Sequence, residues 1–140
     1  MNLPWPVLGI ASAVFAALVA ILGKLGLENV SPIAATAARA MVMAVATVLV
    51  AAASGELAQV GGFTARSWIF IGLSGVAGAA SWLAFFAALK AGSAAQVSAL
   101  DRLSLAFVVV LAAVFLGEGL TWSKSAGAVL VVAGAWLIAR

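Results

Sequence analysis

Three ionisable side chains interrupt otherwise apolar runs of this sequence: Arg39, Asp101 and its neighbour Arg102, the last two within the stretch ALDRLSLAF. The chain contains no cysteine and no histidine. Their absence excludes disulfides, thiolate metal sites, imidazole chemistry and a Ser-His-Asp arrangement within one chain. Because there is also no nucleophile–base pair and no cluster of metal ligands, we expect no enzyme, no metal site and no cofactor.

The composition indicates which solvent surrounds these charges. Hydrophobic residues make up 66% of the 140 residues and charged residues 8%, whereas a soluble domain carries about 25% charged residues. So few charges cannot cover a water-facing surface, and most of the chain must therefore face lipid. The net charge of +3 comes from basic residues scattered singly, without the cluster that nucleic-acid binding needs. We predict an all-α, polytopic membrane protein whose partner is the lipid bilayer, with no nucleic-acid partner.

Five apolar runs have the length that a membrane-crossing helix needs, roughly 20 residues for a bilayer core of about 30 Å. The predicted transmembrane helices cover about residues 4–23, 32–53, 68–89, 96–116 and 122–139. Glycine or proline punctuates the short connections, which also carry most of the charged residues, because these two residues end helices. Because these connections are too short for a soluble domain, residues 1–140 are predicted to form a single membrane domain.

The tryptophans fit this division into spans. Trp5, Trp68 and Trp122 begin the first, third and fifth spans, and those three starts share one membrane face in a five-span chain. Tryptophan favours the membrane interface, where its ring is buried and its N–H remains hydrated. Trp136 lies near the opposite face, whereas Trp82 lies inside the third span and far from both interfaces.

Basic residues slightly favour the membrane face opposite the N-terminus. The residues counted towards that face are Lys24, Lys90, Arg140, Arg39 and Arg102, and those towards the N-terminal face are Arg66 and Lys124. The positive-inside rule then places the N-terminus outside the cell. Without Arg39 and Arg102, which lie inside spans, the count is three against two, and so small an excess permits insertion in both orientations.

The charges inside the spans need partners, because a charge in the bilayer is costly and faces the bundle interior or water. Arg102 is long enough to reach the lipid headgroups, but Asp101 is too short. Arg39 enters the second span from the same membrane face as Asp101, so we predict an Asp101–Arg39 pair, with Arg102 at the mouth of a cavity. Two interpretations remain open: the three residues fix helix register and topology, or they line a substrate path.

The third span combines small and aromatic residues. Its small residues recur at every third position: Gly72, Gly75, Gly78 and Ser81. Such a ridge lets another membrane helix approach closely, which suits tight packing and also helix movement during transport. Trp82, Phe85 and Ser81 offer aromatic faces and a hydroxyl to a ligand of mixed polarity. We therefore include them in a candidate substrate path with Arg39, Asp101 and Arg102, and Trp82 as a packing residue is the alternative.

The remaining charges lie at the ends of spans. Glu118, in a short Gly-Glu-Gly turn, is expected to pair with Lys124 or with headgroups. Lys24 and Lys90 lie where their positive charge complements the dipole at a helix C-terminus.

Several short motifs, in their order and spacing, resemble the EamA domain, the repeat unit of the drug/metabolite transporter superfamily. The second half, residues 75–139, carries the closer match. Its motifs are FFAALK at residues 85–90, DRLS at 101–104, FLGE at 115–118 followed by Thr121, and Gly127-Ala128 before a closing apolar span. The first half matches more loosely, through FAA at 15–17, KLGL at 24–27, Ser31-Pro32 and Arg39.

The resemblance implies a membrane transporter of small metabolites, a permease or exporter, in the bacterial inner membrane. Larger family members join two five-span units in one chain, and the second unit is inverted because it begins on the opposite face. Inverted repeats place the substrate at their interface near the membrane midplane. A single unit is therefore expected to act as a homodimer, with an antiparallel arrangement as one form. A monomer, a parallel dimer and a heteromer remain open.

Other functions also remain open. The same superfamily resemblance allows a flippase for a lipid or lipid carrier, and a different class is a membrane assembly partner that transports nothing. The small multidrug relatives exchange protons for cations through a glutamate in their first helix. The first span here has no carboxylate, so that chemistry is not carried over to this chain.

Overall fold

The computed structural model describes residues 4–140, and every regular element in that range is helical. The helices are α1 (Trp5–Gly26), α2 (Pro32–Ala53), α3 (Ala65–Ala91), α4 (Ala94–Asp101), α5 (Leu103–Phe115) and α6 (Trp122–Ala139), with a 3₁₀ helix (Glu56–Gly62) between α2 and α3. Since α4 and α5 together form one segment, Ala94–Phe115, five segments are long and apolar enough to cross a membrane. The predicted all-α fold with five apolar spans is confirmed.

Hydroxyl side chains fix the starts of three of these segments. Each accepts a hydrogen bond from the backbone N–H three residues later: Ser31 from Ala34 at 3.1 Å, Ser93 from Gln96 at 3.2 Å and Thr121 from Lys124 at 3.3 Å. A cap of this kind contributes about 1 kcal/mol to helix stability. Pro32 occupies the first turn of α2, where its fixed φ favours the helix and its missing N–H costs nothing.

Two helices are longer than the apolar pattern indicates. α1 continues to Gly26 and α3 runs from Ala65 to Ala91, beyond the predicted 4–23 and 68–89. Glycine in a helix interior costs about 1 kcal/mol, which is why the prediction ended α1 at Gly23. Unpaired backbone groups cost more than that in lipid, so the helix continues through the glycine.

The fourth span is broken at Arg102, which separates α4 from α5. The N–H of Arg102 is shared between the carbonyls of Ser98 and Ala99, at 3.3 and 3.1 Å, and its own carbonyl accepts from Leu105 at 3.0 Å. A bond from residue i+3 to residue i is the 3₁₀ pattern, and a 3₁₀ turn within a helix often marks a hinge. The uninterrupted helix predicted over 96–116 is therefore corrected to two helices that meet at the charged pair. Asp101 and Ser104, on either side, are among the weaker helix formers.

The chain divides into two compact units, one combining α1 as far as Leu25 with Ala91–Arg140 and the other comprising Gly26–Lys90. In the first unit, α6 packs along both α4 and α5. In the second unit, the 3₁₀ helix folds back against α2, and the rings of Phe63 and Trp68 lie 5.7 Å apart at the start of α3.

Large apolar side chains are exposed along every long segment, and few residues are buried. Val42, Phe70 and Leu130 are 69%, 60% and 72% exposed. The buried residues are Ala20, Leu27, Thr36, Phe86, Leu89, Val97, Ala99 and Ala135. Such an apolar surface would be unfavourable in water. Lipid acyl chains can cover it, as expected for a protein embedded in the bilayer.

Candidate functional site

Arg39 lies on the face of the Trp82 ring, with the guanidinium carbon 3.6 Å from the ring centroid. Both residues belong to Gly26–Lys90, and both side chains are half-buried. Arg39 is in the third turn of α2, about 10 Å from its start at 1.5 Å per residue, so its charge lies within a predicted span. A desolvated cation–π contact contributes about 2 kcal/mol, which offsets part of the cost of a cation at this depth.

The indole is held in place by its own helix. Phe85 and Phe86 follow Trp82 by three and four residues, the spacings at which side chains meet on a helix surface. The ring centroids lie 5.4 and 5.9 Å from that of Trp82, both edge-to-face. Each such pair contributes about 0.5–1.5 kcal/mol beyond the burial of area, and Phe86 is buried. Trp82 therefore presents a fixed ring face to Arg39.

The start of α2 sets the position of Arg39. Ser31 caps the helix and Pro32 begins it. One turn before Arg39, the buried Thr36 donates its hydroxyl proton to the carbonyl of Pro32 at 2.7 Å, which satisfies a polar group that would otherwise be costly in this environment. Among residues 32–39, Arg39 is thus the polar side chain whose hydrogen-bond donors its own unit leaves unused.

The N–H groups of Arg39 remain available within its unit. Among residues 26–90, the guanidinium contacts the rings of Trp82 and Phe86, the latter at 5.9 Å, and no acceptor bonds it. Glu28 and Glu56 are the acidic residues of this unit. Glu28 lies in the turn before α2 and Glu56 begins the 3₁₀ helix after it. The site therefore combines a fixed cation with free hydrogen-bond donors.

Of the other candidate residues in this unit, Phe85 belongs to the aromatic cluster and Ser81 does not. Ser81 is exposed and directly precedes Trp82, so the two side chains point about 100° apart around α3. The ring of Trp82 contacts both Arg39 and Phe85. The place of Ser81 in a substrate path stays a prediction.

Asp101 and Arg102 belong to the other unit, at the break between α4 and α5. Both side chains are exposed. Because α4 begins at Ala94, Asp101 lies about 10 Å along the helix, slightly farther than the predicted start at residue 96 implied. The predicted pairing of Asp101 with Arg39 would join the two units and stays a prediction, as does the place of Arg102 at a cavity mouth.

Two lysines do more than complement a helix dipole. In the unit Gly26–Lys90, Lys90 donates to the carbonyls of Leu27, of Glu28 at 3.0 Å and of Val30 at 3.3 Å. In the other unit, Lys24 donates to the carbonyl of Gly92 at 2.7 Å. Both lie in the last turn of a helix, as predicted, but their bonds to the turns depend on tertiary structure.

Gln96 was not identified from the sequence. Its side-chain oxygen accepts from the Ser93 hydroxyl at 2.9 Å, and its amide nitrogen donates to the carbonyl of Ala139 at 3.3 Å. The first contact joins the two side chains of a Ser-x-x-Gln spacing, which before an apolar run is the sequence signal of a capping box. The second ties the start of α4 to the end of α6.

The expected interfacial pair is confirmed, since Lys124 lies 3.1 Å from the carboxylate of Glu118. Gly117 ends α5 in the left-handed region, at φ 68°, and the N–H of Glu118 then donates to the carbonyl of Ala112 at 3.2 Å. Both charged side chains are about half exposed, 45% and 53%, so the pair contributes less than about 1 kcal/mol.

Comparisons with known proteins support the resemblance to the EamA family independently of the structure. Residues 3–140 match the EamA-like transporter family. The chain is also 39% identical, over 139 residues, to a protein of Sinorhizobium sp named "Uncharacterized transporter in cobO 3'region", with 99% of each chain covered. No solved structure shows significant similarity to it.

Proposed function

This chain belongs to the EamA-like transporter family and is an integral membrane transporter, and we propose that it moves small metabolites along a path that includes Arg39, Trp82 and Phe85. The stacking of Arg39 on Trp82 carries the proposal. A cation placed within a span, with its donors free in its own unit, is expensive unless it serves a polar path. Ser81, Asp101 and Arg102 are proposed as further lining residues.

The transporter is proposed to act as a homodimer that rebuilds a ten-helix inverted-repeat architecture. The glycine ridge of α3 supports this, because a Cβ added at Gly72, Gly75 or Gly78 would meet no atom within 4 Å among the described residues. The ridge is thus not used for close packing within one chain. The near balance of basic residues between the two faces favours the antiparallel form.

We place the protein in the bacterial inner membrane. The Sinorhizobium relative supports a bacterial setting, and five apolar helical segments fit the hydrocarbon thickness of an ordinary bilayer.

Flux through proteoliposomes tests the proposed function. The purified protein is assayed with a panel of radiolabelled amino acids, carboxylates, amines and sugars, alongside Arg39→Gln and Trp82→Leu. Since the stacking contact contributes up to about 2 kcal/mol, both variants should lose flux about tenfold or more while keeping their helical circular dichroism. Trp122→Leu is the matched control, because Trp122 is 87% exposed at the start of α6 and its loss should leave flux unchanged.

Three outcomes would contradict the proposal. Full flux in both Arg39→Gln and Trp82→Leu would remove these residues from the path. Inhibition of flux by lipid headgroup analogues alone would identify a lipid flippase. A folded protein that moves no solute but purifies with a larger membrane protein would identify an assembly partner.

A further inference from the structure

Resting on the proposed function, we infer that Arg39 and Trp82 recognise an oxyanion, the carboxylate of a small metabolite with an apolar body. The substrate class is therefore anionic. The geometry of the guanidinium, the charges of its unit and the rings beside it each support this inference.

The guanidinium lies over the face of the indole. At 3.6 Å between the guanidinium carbon and the ring centroid, the two groups are in van der Waals contact, and a planar guanidinium reaches that distance only with its face on the ring. Its N–H groups then point outward along the edges of the plane. Those edges are where a carboxylate accepts two parallel hydrogen bonds, so stacking leaves the binding edges open.

The charge of Arg39 has no fixed counter-ion in its unit. The acidic residues there, Glu28 and Glu56, lie in the connections that flank α2, and within this unit the guanidinium of Arg39 lies over the rings of Trp82 and Phe86 and forms no ion pair. Arginine keeps its charge at every physiological pH, so deprotonation cannot relieve the cost of a cation within a span. A mobile anion supplies the missing negative charge and fills the open donors.

The surroundings select an anion with an apolar body. Phe85 and Phe86 meet Trp82 edge-to-face at 5.4 and 5.9 Å, and Phe85 is half-buried. A ligand whose carboxylate reaches Arg39 therefore places its remainder against aromatic rings. A site of this kind, mostly apolar with one fixed charge, is typical of small-molecule binding.

Binding is tested with the full chain in phosphatidylcholine nanodiscs. Phenylalanine replaces Trp5, Trp68, Trp122 and Trp136, so that fluorescence reports on Trp82 alone. Sodium isovalerate is titrated, with 3-methylbutylamine and isovaleramide as the cationic and neutral ligands of the same shape. Calorimetry with the unsubstituted protein repeats each titration and removes any dependence on the four substitutions.

Isovalerate should give a saturable response, and the amine and amide should give none over the same concentrations. Arg39→Gln should raise the apparent Kd about tenfold or more, because a charged hydrogen bond is lost. The apparent Kd of Arg39→Lys should lie between those of the unsubstituted protein and of Arg39→Gln, since lysine keeps the charge but not the planar fork. Arg66→Gln is the matched control. Arg66 also lies over a ring, 5.8 Å from Phe70, but at the start of α3, and its removal should not change the Kd.

Several results would overturn the inference. These are an equal response to all three ligands, an equal Kd in Arg39→Gln and Arg66→Gln, or a response that appears only after Asp101→Asn, which would make Asp101 the bound carboxylate. Loss of the isovalerate response when half the lipid is phosphatidylglycerol would assign the site to a lipid headgroup instead.

The inference and the proposed function fail separately. A protein that binds isovalerate through Arg39 and moves no solute would retain the oxyanion site and refute transport. A protein that moves amines but neither binds nor moves carboxylates would retain transport and refute the oxyanion site.

Discussion

The ammonium group of Lys90, in the last turn of α3, donates a hydrogen bond to the main-chain carbonyl of Leu27, in the turn that follows α1. Leu27 is 1% exposed, so this carbonyl has little water to replace the lysine. The same ammonium also reaches Glu28 and Val30. One side chain therefore satisfies a turn whose carbonyls no longer have helical partners.

Lys90→Met should destabilise the protein more than Lys124→Met does. Methionine keeps the length of the side chain but removes the ammonium donor, which leaves the buried Leu27 carbonyl only the long bond from the Val30 N–H at 3.5 Å, at a cost of about 1–3 kcal/mol. The measurement is the apparent unfolding midpoint in detergent, followed by tryptophan fluorescence. Lys124→Met is the control, because its exposed pair with Glu118 contributes little. Equal shifts in the two variants would show that the Lys90 bonds carry no stability.

Gln96→Glu should loosen the end of α6. Glutamate cannot donate to the carbonyl of Ala139, a loss of about 1 kcal/mol, although it still suits the capping box. Hydrogen exchange of the last turn of α6 should accelerate. Ser93→Ala, which loses the cap but keeps the bond from Gln96 to Ala139, should accelerate exchange at the start of α4 instead. The opposite pattern would contradict the assigned contacts.

Gly75→Leu should leave the single chain folded and weaken the proposed dimer. A Cβ at this position meets nothing within 4 Å among residues 4–140, so the fold has room for it, but a leucine keeps a second helix from approaching closely. Native mass spectrometry over a range of concentrations should show a dimer Kd raised about tenfold, the effect of 1.4 kcal/mol. Gly9→Leu in α1, where the added atom also meets nothing, should not change it. An unchanged dimer in Gly75→Leu would place the interface elsewhere.

Reporters fused to the C-terminus should reveal both orientations of the chain. One reporter is active only in the cytoplasm and the other only outside it, and the antiparallel homodimer requires signal from each. The reason is the small difference in basic residues between the two faces. Adding two lysines after Arg140 should shift the population towards a cytoplasmic C-terminus. Signal from a single reporter in the unmodified chain would exclude the antiparallel form.

The sequence was sufficient for the spans because lipid imposes a simple requirement on length and polarity. It was insufficient at Arg102, where the run from Ala94 to Phe115 is apolar enough for one helix and the break depends on local backbone bonds. It also missed the carbonyls bound by Lys90, since they lie in a turn sixty or more residues away in sequence.

The sequence singled out Arg39 and Trp82 as members of the candidate site, but it did not predict the contact between them. Arg39 was singled out as a charge in a span, and its predicted partner was Asp101. Within its own unit, the structure gives it the ring of Trp82, a residue singled out separately because it lies far from both interfaces, and the pairing with Asp101 stays a prediction. In a sequence, a charged residue suggests an oppositely charged partner. The face of an indole carries no formal charge, so its attraction for a cation is recognised only when the structure places the two groups in contact.

The interruption at Arg102 has a mechanical consequence for α6. Because α6 packs along both α4 and α5, it spans the break at Arg102 and supports the helices on both sides of it. A change in the angle between α4 and α5 would have to slide one of them along the surface of α6. Bending at Arg102 is therefore resisted by the packing of α6 against both helices, and Gly127 and Gly134 lie outside this contact, since a Cβ added at either would meet no atom within 4 Å among the described residues.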